Sequence, residues 1–477
     1  MSSSRRLTVH DLFNAVLDRG TFESWDEPID ISGHPEDYQA SLRRAAERAG
    51  TDESVLTGSA RVRGRRLAVI ANEFSFLGGS IGAAAADRIT RAVERATAEG
   101  LPLVASTSSS GTRMQEGTPA FVHMIRISRA LVAHKAAGLP YLVHLRHPTT
   151  GGVLASWGSL GHITVAEPEA LVAFLGPKVY ELLEGTPFPP GVQVSENLVK
   201  HGVIDAVVPT QDLAEVLDRT LALLLDPATT SSRQERQVPP QQRRTPWESI
   251  EITRHGQRAG VRDLLRHGSD ATVRLQGTDE GENDTAMMMA VARIDGMPCV
   301  LVGQDRTRQS PTTPMGPAAL REARRGMHLA NQLRLPLVSV IDTPGAELSP
   351  QAEQGAVAGE IARCIAEMSS LTVPSVSVLI GQGCGGGALA LLPADRTIAA
   401  ENAWLSPLPP EGASAIMYGD VEHAPLMVEQ QQVSAFDLLA DGTVSHLVAE
   451  PDGDTPEAFA DAMAASIGAR LRELLAG

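Results

Sequence analysis

At 477 residues the chain is longer than one typical domain, and 43% hydrophobic with 21% charged residues is the balance of a folded globular protein. A net charge of −16 argues against a nucleic-acid surface or one built for acidic membranes. No stretch has the roughly 18 uninterrupted apolar residues needed to cross a bilayer, and the three cysteines (Cys299, Cys364, Cys384) are too far apart for a disulfide framework or a CxxC zinc site. The N-terminus, MSSSRRLTVHDLF, lacks the apolar core of a signal peptide, so the expectation is a cytoplasmic protein with no membrane or nucleic-acid partner.

Amphipathic spacing predicts short helices over Leu7–Phe22 and Pro35–Gly50, then a strand pair over Ala60–Asn72 that turns at Gly64. FSFLGGSIG (74–82) is a glycine-rich junction into a helix over Ala83–Glu99. A strand at Leu101–Ala105 runs into STSSSGTRMQEG and a helix of about twenty residues. Tyr141–Leu145 runs into HPTTGGVLAS and another helix, with short strands at Val165–Ala166 and Val172–Ala173. Residues 227–246, PATTSSRQERQVPPQQRRTP, have no apolar period and read as a linker.

The second half repeats the first. ARVRGRRLAVI (60–70) is echoed by ARIDGMPCVLV (292–302), and GLPLVAS (100–106) by RLPLVSV (334–340). AEPEALVAFLGP (166–177) faces AENAWLSPLPP (400–410), and LVKHGVIDAVVP (198–209) faces LLADGTVSHLVAE (438–450). The offset stays within 232–240 residues through all four pairs, so the chain reads as two copies of one α/β domain, 1–226 and 247–477. Strand–glycine turn–helix alternation favours mostly parallel sheets, and two like domains are expected to pack pseudo-symmetrically.

The densest of these turns is VLIGQGCGGGALALL (378–392), with five glycines in seven residues between an apolar run and an Ala/Leu-rich helix. Glycines admit positive φ and close approach, and helix-opening amides face whatever sits above them, so the element reads as a backbone cradle for negative charge. Gly381–Gly386 matches GxGxxG, but Asp395 comes too early and Glu401 leads into a turn, which disfavours a dinucleotide site. Cys384 reads as a small residue filling a tight turn, since no histidine is near to activate it. No GK[ST], GxSxG or HExxH is present. Four such turns, at SSSGTRMQEG, PTTGGVLAS, DTPGAE and the 381–387 glycines, point to paired N–H donors holding an oxyanion; each donor is typically worth roughly 3–4 kcal/mol.

TSSSGTRMQEG, HPTTGGVLASWGSLGHITVAEPEAL and ENLVKHGVIDAVV resemble the carboxyltransferase β subunit of bacterial acetyl-CoA carboxylase. WESIEITRHGQR, IDTPGAE, IGQGCGGGALALLPADR and ENAWLSPLPPEGASAI resemble its α subunit. The resemblance covers roughly 40–210 and 245–450. It implies two tandem crotonase-like α/β domains of ββα repeats (the ClpP/crotonase class) and carboxyl transfer from carboxybiotin to an acyl-CoA, giving malonyl-CoA or a homologue.

By resemblance the backbone amides of Ser110 and Gly111 would hold the thioester oxygen, and those of Gly386 and Gly387 the biotin ureido oxygen. Arg113, Met114, Thr150, Gly151 and Gly152 would contact substrate; Gly345, Gly383 and Gly385 would contact biotin. Arg113 reads equally as a structural salt bridge. Glu116, Glu353 and Glu411 read as structural rather than as bases.

Two departures stand out. No cysteine precedes Cys299, which leaves no zinc ribbon, and the family's Gly-Gly-Ala is Ser110-Gly111-Thr112 here. None of the three lysines (Lys135, Lys178, Lys200) sits between methionines, so biotin would ride on a separate biotin carboxyl carrier protein charged by a biotin carboxylase. A homo-oligomer is implied by the resemblance. A biotin-independent malonyl-thioester decarboxylase and a non-catalytic acyl-CoA-binding homologue are the alternatives.

Overall fold

The structure, a computed structural model, describes residues 6–238, 244–310 and 312–476; residues 239–243 of the expected linker lie outside the described residues. The chain divides into two compact units. One takes residues up to Ala222 together with Asp279–Gly281, and the other takes 223–278 and 282 onward.

The first unit is built on strands β1 (Glu23–Ser24), β2 (Val55–Val62), β3 (Arg65–Asn72), β4 (Leu103–Ser109), β5 (Tyr141–Thr150), β6 (Ile163–Ala166), β7 (Val172–Ala173) and β8 (Ala206–Val207). They form one sheet in the order β1-β2-β3-β4-β5-β6-β8, with β7 also paired to β5. β1, β2 and β3 run antiparallel, and every later pairing is parallel. Gly64 at φ +85° makes the expected turn between β2 and β3. The helices Ala83–Ala98 and Gly117–Ala136 carry Ile89, Val93, Ile127 and Leu131 into the core against Leu103 and Tyr141. Burial of each such side chain contributes about 1.5–3 kcal/mol.

The second unit repeats this with β9 (Ser269–Leu275), β10 (Met287–Ile294), β11 (Met297–Gln304), β12 (Leu337–Thr343), β13 (Ser375–Cys384), β14 (Arg396–Ala400), β15 (Trp404–Ser406) and β16 (His446–Val448). Here β9-β10-β11 are antiparallel, β12, β13, β14 and β16 follow in parallel, and β15 pairs with β13. Even the irregularities recur. The β4/β5 ladder slips between Thr107 and Ser109, and the β12/β13 ladder slips between Ile341 and Thr343. Both units therefore have the mostly parallel α/β architecture expected of crotonase-like domains.

Three strands outrun their sequence signal. β4 continues past Ala105 to Ser109, β5 past Leu145 to Thr150, and β13 past Ile380 to Cys384. After the slip each finds further pairing, such as Thr149 and Thr150 with β7, or Gln382–Cys384 with β15, so hydroxyl and glycine residues stay extended. The helices after β5 and β13 are correspondingly brief, Gly151–Leu154 and Gly385–Leu389, because consecutive glycines are poor helix formers. The described part of the expected linker has no helix or strand between Leu225 and Pro246, where the next helix opens, but is fastened to the second unit. Thr229 N–H donates to Gly296 O at 2.9 Å, and Arg233 pairs with Asp270 at 2.7 Å and Asp461 at 2.9 Å. No helix among the described residues is long and apolar enough to cross a membrane.

Candidate active site

In the first unit the ends of β4 and β5 deliver two turns into contact. Ser109 pairs with Thr149, after which Ser110-Gly111-Thr112 packs on Thr150-Gly151-Gly152. Gly111 (φ +103°) and Gly151 (φ +63°) are left-handed, and a Cβ on Gly151 would lie 3.2 Å from both Gly111 Cα and Ser110 O. Glycine is required here by backbone conformation and by close approach together.

Hydrogen-bond accounting corrects the expected donors. Ser110 N–H donates to Gly78 O at 2.9 Å, Gly111 N–H to Ser109 Oγ at 3.0 Å, and Gly151 N–H to Phe174 O at 3.0 Å. Ser110 and Gly111 are thus already satisfied within the chain and are not the free pair. The next residue is different. Ile81 bridges Thr112, receiving Arg113 N–H on its carbonyl and donating to Gly111 O, both at 2.9 Å, which turns the Thr112 N–H the other way. The amides of Thr112 and Gly152, both half-buried, have no acceptor among the described residues. Their turns touch, since a Cβ on Gly152 would lie 2.8 Å from Thr112 Oγ1.

The second unit has the same construction. Gly345 N–H donates to Thr343 Oγ1 at 3.1 Å, as Gly111 does to Ser109. Met315 bridges Ala346, with Glu347 N–H on Met315 O at 2.9 Å. The amides of Ala346, Gly386 and Gly387 have no acceptor among the described residues, and a Cβ on Gly387 would lie 3.3 Å from Ala346 N. Gly386 and Gly387 thus remain donor candidates, and Ala346 joins them. Thr112 and Ala346 escaped the sequence reading, although a signal was present: each follows a left-handed glycine, 234 positions apart.

The other glycines sort by what fills the space of the missing Cβ. At Gly381 it is Asp342 Oδ1, at 2.5 Å, and at Gly383 Trp404 O, at 2.6 Å. Gly383, expected to contact biotin, is buried inside β13 with Trp404 O in the place of a Cβ. Gly345 (φ +132°) and Gly385 (φ +65°) are half-buried beside the free amides. Cys384 is buried and its thiol is pushed up to about 11 by burial, which suits the small packing residue expected there.

Arg113 is corrected from a substrate contact to a structural one. Its side chain is 1% exposed and lies bidentate on Glu53, with Nη1 to Oε2 at 2.9 Å. Its remaining donors reach Ser80 O at 2.7 Å, Ser54 Oγ at 3.2 Å and Glu116 Oε1 at 3.3 Å. No N–H is left for a ligand. Glu116 receives Tyr38 OH and Ala83 N–H, each at 2.6 Å; burial alone pushes its carboxyl up, but these bonds and Arg113 together outweigh it and hold the carboxyl below the ordinary range. Glu411 is held by Arg254 at 2.7 and 2.9 Å. Thr150 is buried and turns its hydroxyl inward to Ser109 O at 3.3 Å, whereas Met114 is 75% exposed. A pocket of about 600 Å³ between Arg258, Asn402 and Phe459 contains none of the expected site residues.

The change at the first residue of the turn is accommodated. Ser110 is not among the left-handed residues and the left-handed position keeps its glycine, so the added Cβ meets no conformational penalty.

The model of the carboxyl transferase domain matches residues 15–449. The chain is 55% identical to the probable biotin-dependent acyl-coenzyme A carboxylase beta3 subunit of Mycobacterium tuberculosis, over 98% of this chain and 95% of that one. It is 36% identical to the acetyl-coenzyme A carboxylase carboxyl transferase subunits beta/alpha of Saccharopolyspora erythraea, over 98% and 84%. Among solved structures, transcarboxylase 12S, a hexamer with methylmalonyl-coenzyme A and methylmalonic acid bound, aligns at TM-score 0.77 and 20% identity over 99% of this chain and 90% of that one. A single-chain, multi-domain long-chain acyl-CoA carboxylase aligns at TM-score 0.74 and 17% identity, over 98% and 46%. These two share the fold. The length of the sequence match and the recurrence of the turn geometry in both repeats agree: the chain belongs to the carboxyl transferase family.

Proposed function

We propose that this protein is the carboxyltransferase component of a biotin-dependent acyl-CoA carboxylase, moving CO2 to the α-carbon of a short acyl-CoA such as acetyl-CoA. The reading rests on one observation: each repeat presents amides without acceptors among the described residues at touching turns, Thr112 with Gly152 and Ala346 with Gly386 and Gly387. Donors fixed by backbone bridges need no reorganisation when charge develops, which is what holds an enolate oxygen in a transition state. The first unit would hold the thioester oxygen at Thr112 and Gly152. The second would polarise the ureido oxygen of biotin at Ala346 and Gly386, with Gly385 and Gly345 shaping the turn. Carboxybiotin on a separate carrier protein, charged by a biotin carboxylase, would supply the CO2 and then the base. The carboxylates of Glu53, Glu116 and Glu411 are committed to Arg113, Tyr38 and Arg254, which suits a reaction that asks no side chain to move a proton.

Exposed apolar side chains support a homo-oligomer: Phe121, Ile125 and Val132 stand on the helix Gly117–Ala136, and Leu182 and Leu183 on Pro177–Glu184. The test is turnover of malonyl-CoA with free biotin beside a control without it. Acetyl-CoA formed only with biotin is the expected result. Equal formation without biotin would establish a decarboxylase, and no turnover with any short malonyl-type thioester would leave a binding protein.

A further inference from the structure

Gln304 ends β11 and is fully buried. Its two amide atoms join both turns that carry the free amides of the second unit. Nε2 donates to Gly387 O at 2.7 Å, and Oε1 accepts from Asp342 N–H at 3.1 Å. Asp342 in turn accepts Gln382 N–H at 3.0 Å through Oδ1, and Arg306 Nε reaches its Oδ2 at 3.2 Å. Gln309 continues the chain, donating to Asp342 O at 3.2 Å and accepting Thr343 Oγ1–H at 2.7 Å. The Thr343 hydroxyl then takes Gly345 N–H at 3.1 Å, one residue before Ala346.

We infer that Gln304 is a positioning residue for catalysis, its carboxamide setting the spacing between Ala346 N–H and the Gly386 and Gly387 amides. The inference rests on the function proposed above. The device belongs to the second unit alone. The corresponding residue at the end of β3 is Asn72, whose shorter side chain reaches only Gly79 O at 3.3 Å. A neutral amide suits the place. It must donate to one carbonyl and accept from one N–H beside the Asp342 carboxylate, which a charged group could not do at both ends.

The test compares native protein with Gln304→Met, which keeps the shape without the bonds, and Gln304→Glu, which can donate to Gly387 O only when protonated. Gln304→Met is expected to lower kcat for biotin-dependent decarboxylation of malonyl-CoA by roughly 10²-fold, as small misplacements of reacting groups do, with the Kd for acetyl-CoA unchanged. Gln304→Glu faces Asp342 with its Arg306 and Arg258 neighbours, and Asp305 paired with Arg262. Its activity relative to native should rise as pH falls from 9 to 6, as the carboxyl regains its proton. A native kcat in Gln304→Met, a weakened acetyl-CoA Kd, or a pH-independent ratio for Gln304→Glu would overturn the inference. If native protein has no biotin-dependent turnover, the functional reading fails separately. Amide hydrogen exchange across 382–389 then decides: faster exchange in Gln304→Met supports the clamp, and unchanged exchange overturns it.

Discussion

Arg113, the residue after Thr112, and Glu53 lie 60 positions apart and meet in a buried bidentate pair. The pair ties the turn to the start of β2, while Ser80 and Glu116 tie it to the helix Ala83–Ala98. Truncating one partner strands the other in the core. Arg113→Met should therefore lose about 3–5 kcal/mol of stability, read as a lower urea midpoint with an unchanged m-value.

Glycine is required at 111 and dispensable at 110. Gly111→Ala places a Cβ 3.1 Å from Gly152 N at φ +103° and should abolish turnover. Ser110→Gly should leave kcat/KM within about twofold, because the exposed side chain is lost while the backbone bond to Gly78 O, which glycine also makes, is kept. Steady-state kinetics of the two variants decide it; a Gly111→Ala enzyme of native activity would sink the assignment of this turn.

Replacing Thr112 with proline removes a single N–H. Loss of one oxyanion donor typically costs roughly 10²–10³ in kcat, so Thr112→Pro should fall in that range while Thr112→Ala stays near native. Circular dichroism and the urea midpoint check that both variants fold.

Glu322 gives the stability curve a pH slope. Buried in the helix Pro317–Leu333 and accepting Asp284 N–H at 2.5 Å, it is pushed up to about 8, chiefly by burial. A raised carboxyl binds its proton more tightly in the folded state, so its contribution is full below the unfolded value near 4.5 and is lost as pH rises through about 8. Asp284, also raised by burial, slopes the same way. Glu322→Gln should match native Tm at pH 4 and exceed it at pH 8.5; equal Tm values at both would contradict this.

Much of the architecture was legible from residue order. Alternating apolar runs and glycine turns marked the strands, Gly64 marked the β2–β3 hairpin, and an offset held within 232–240 residues marked the repeat, because hydrophobic periodicity and left-handed glycines are local properties. Strand lengths were less legible: Ser106–Ser109, His147–Thr150 and Gly381–Cys384 carry no strand signal of their own and are extended only because a neighbouring strand pairs with them.

What sequence alone determined was which segments carry exposed backbone donors. Which N–H groups are free was decided by tertiary contacts. Ser110 and Gly111 lose theirs to Gly78 O and Ser109 Oγ, Thr112 and Ala346 keep theirs because single-residue bridges to Ile81 and Met315 turn them outward, and Gly383 is packed against Trp404 O. Arg113 was decided the same way, by a carboxylate 60 residues distant. Hydrogen-bond partners far along the chain settle each case, and no local pattern encodes them.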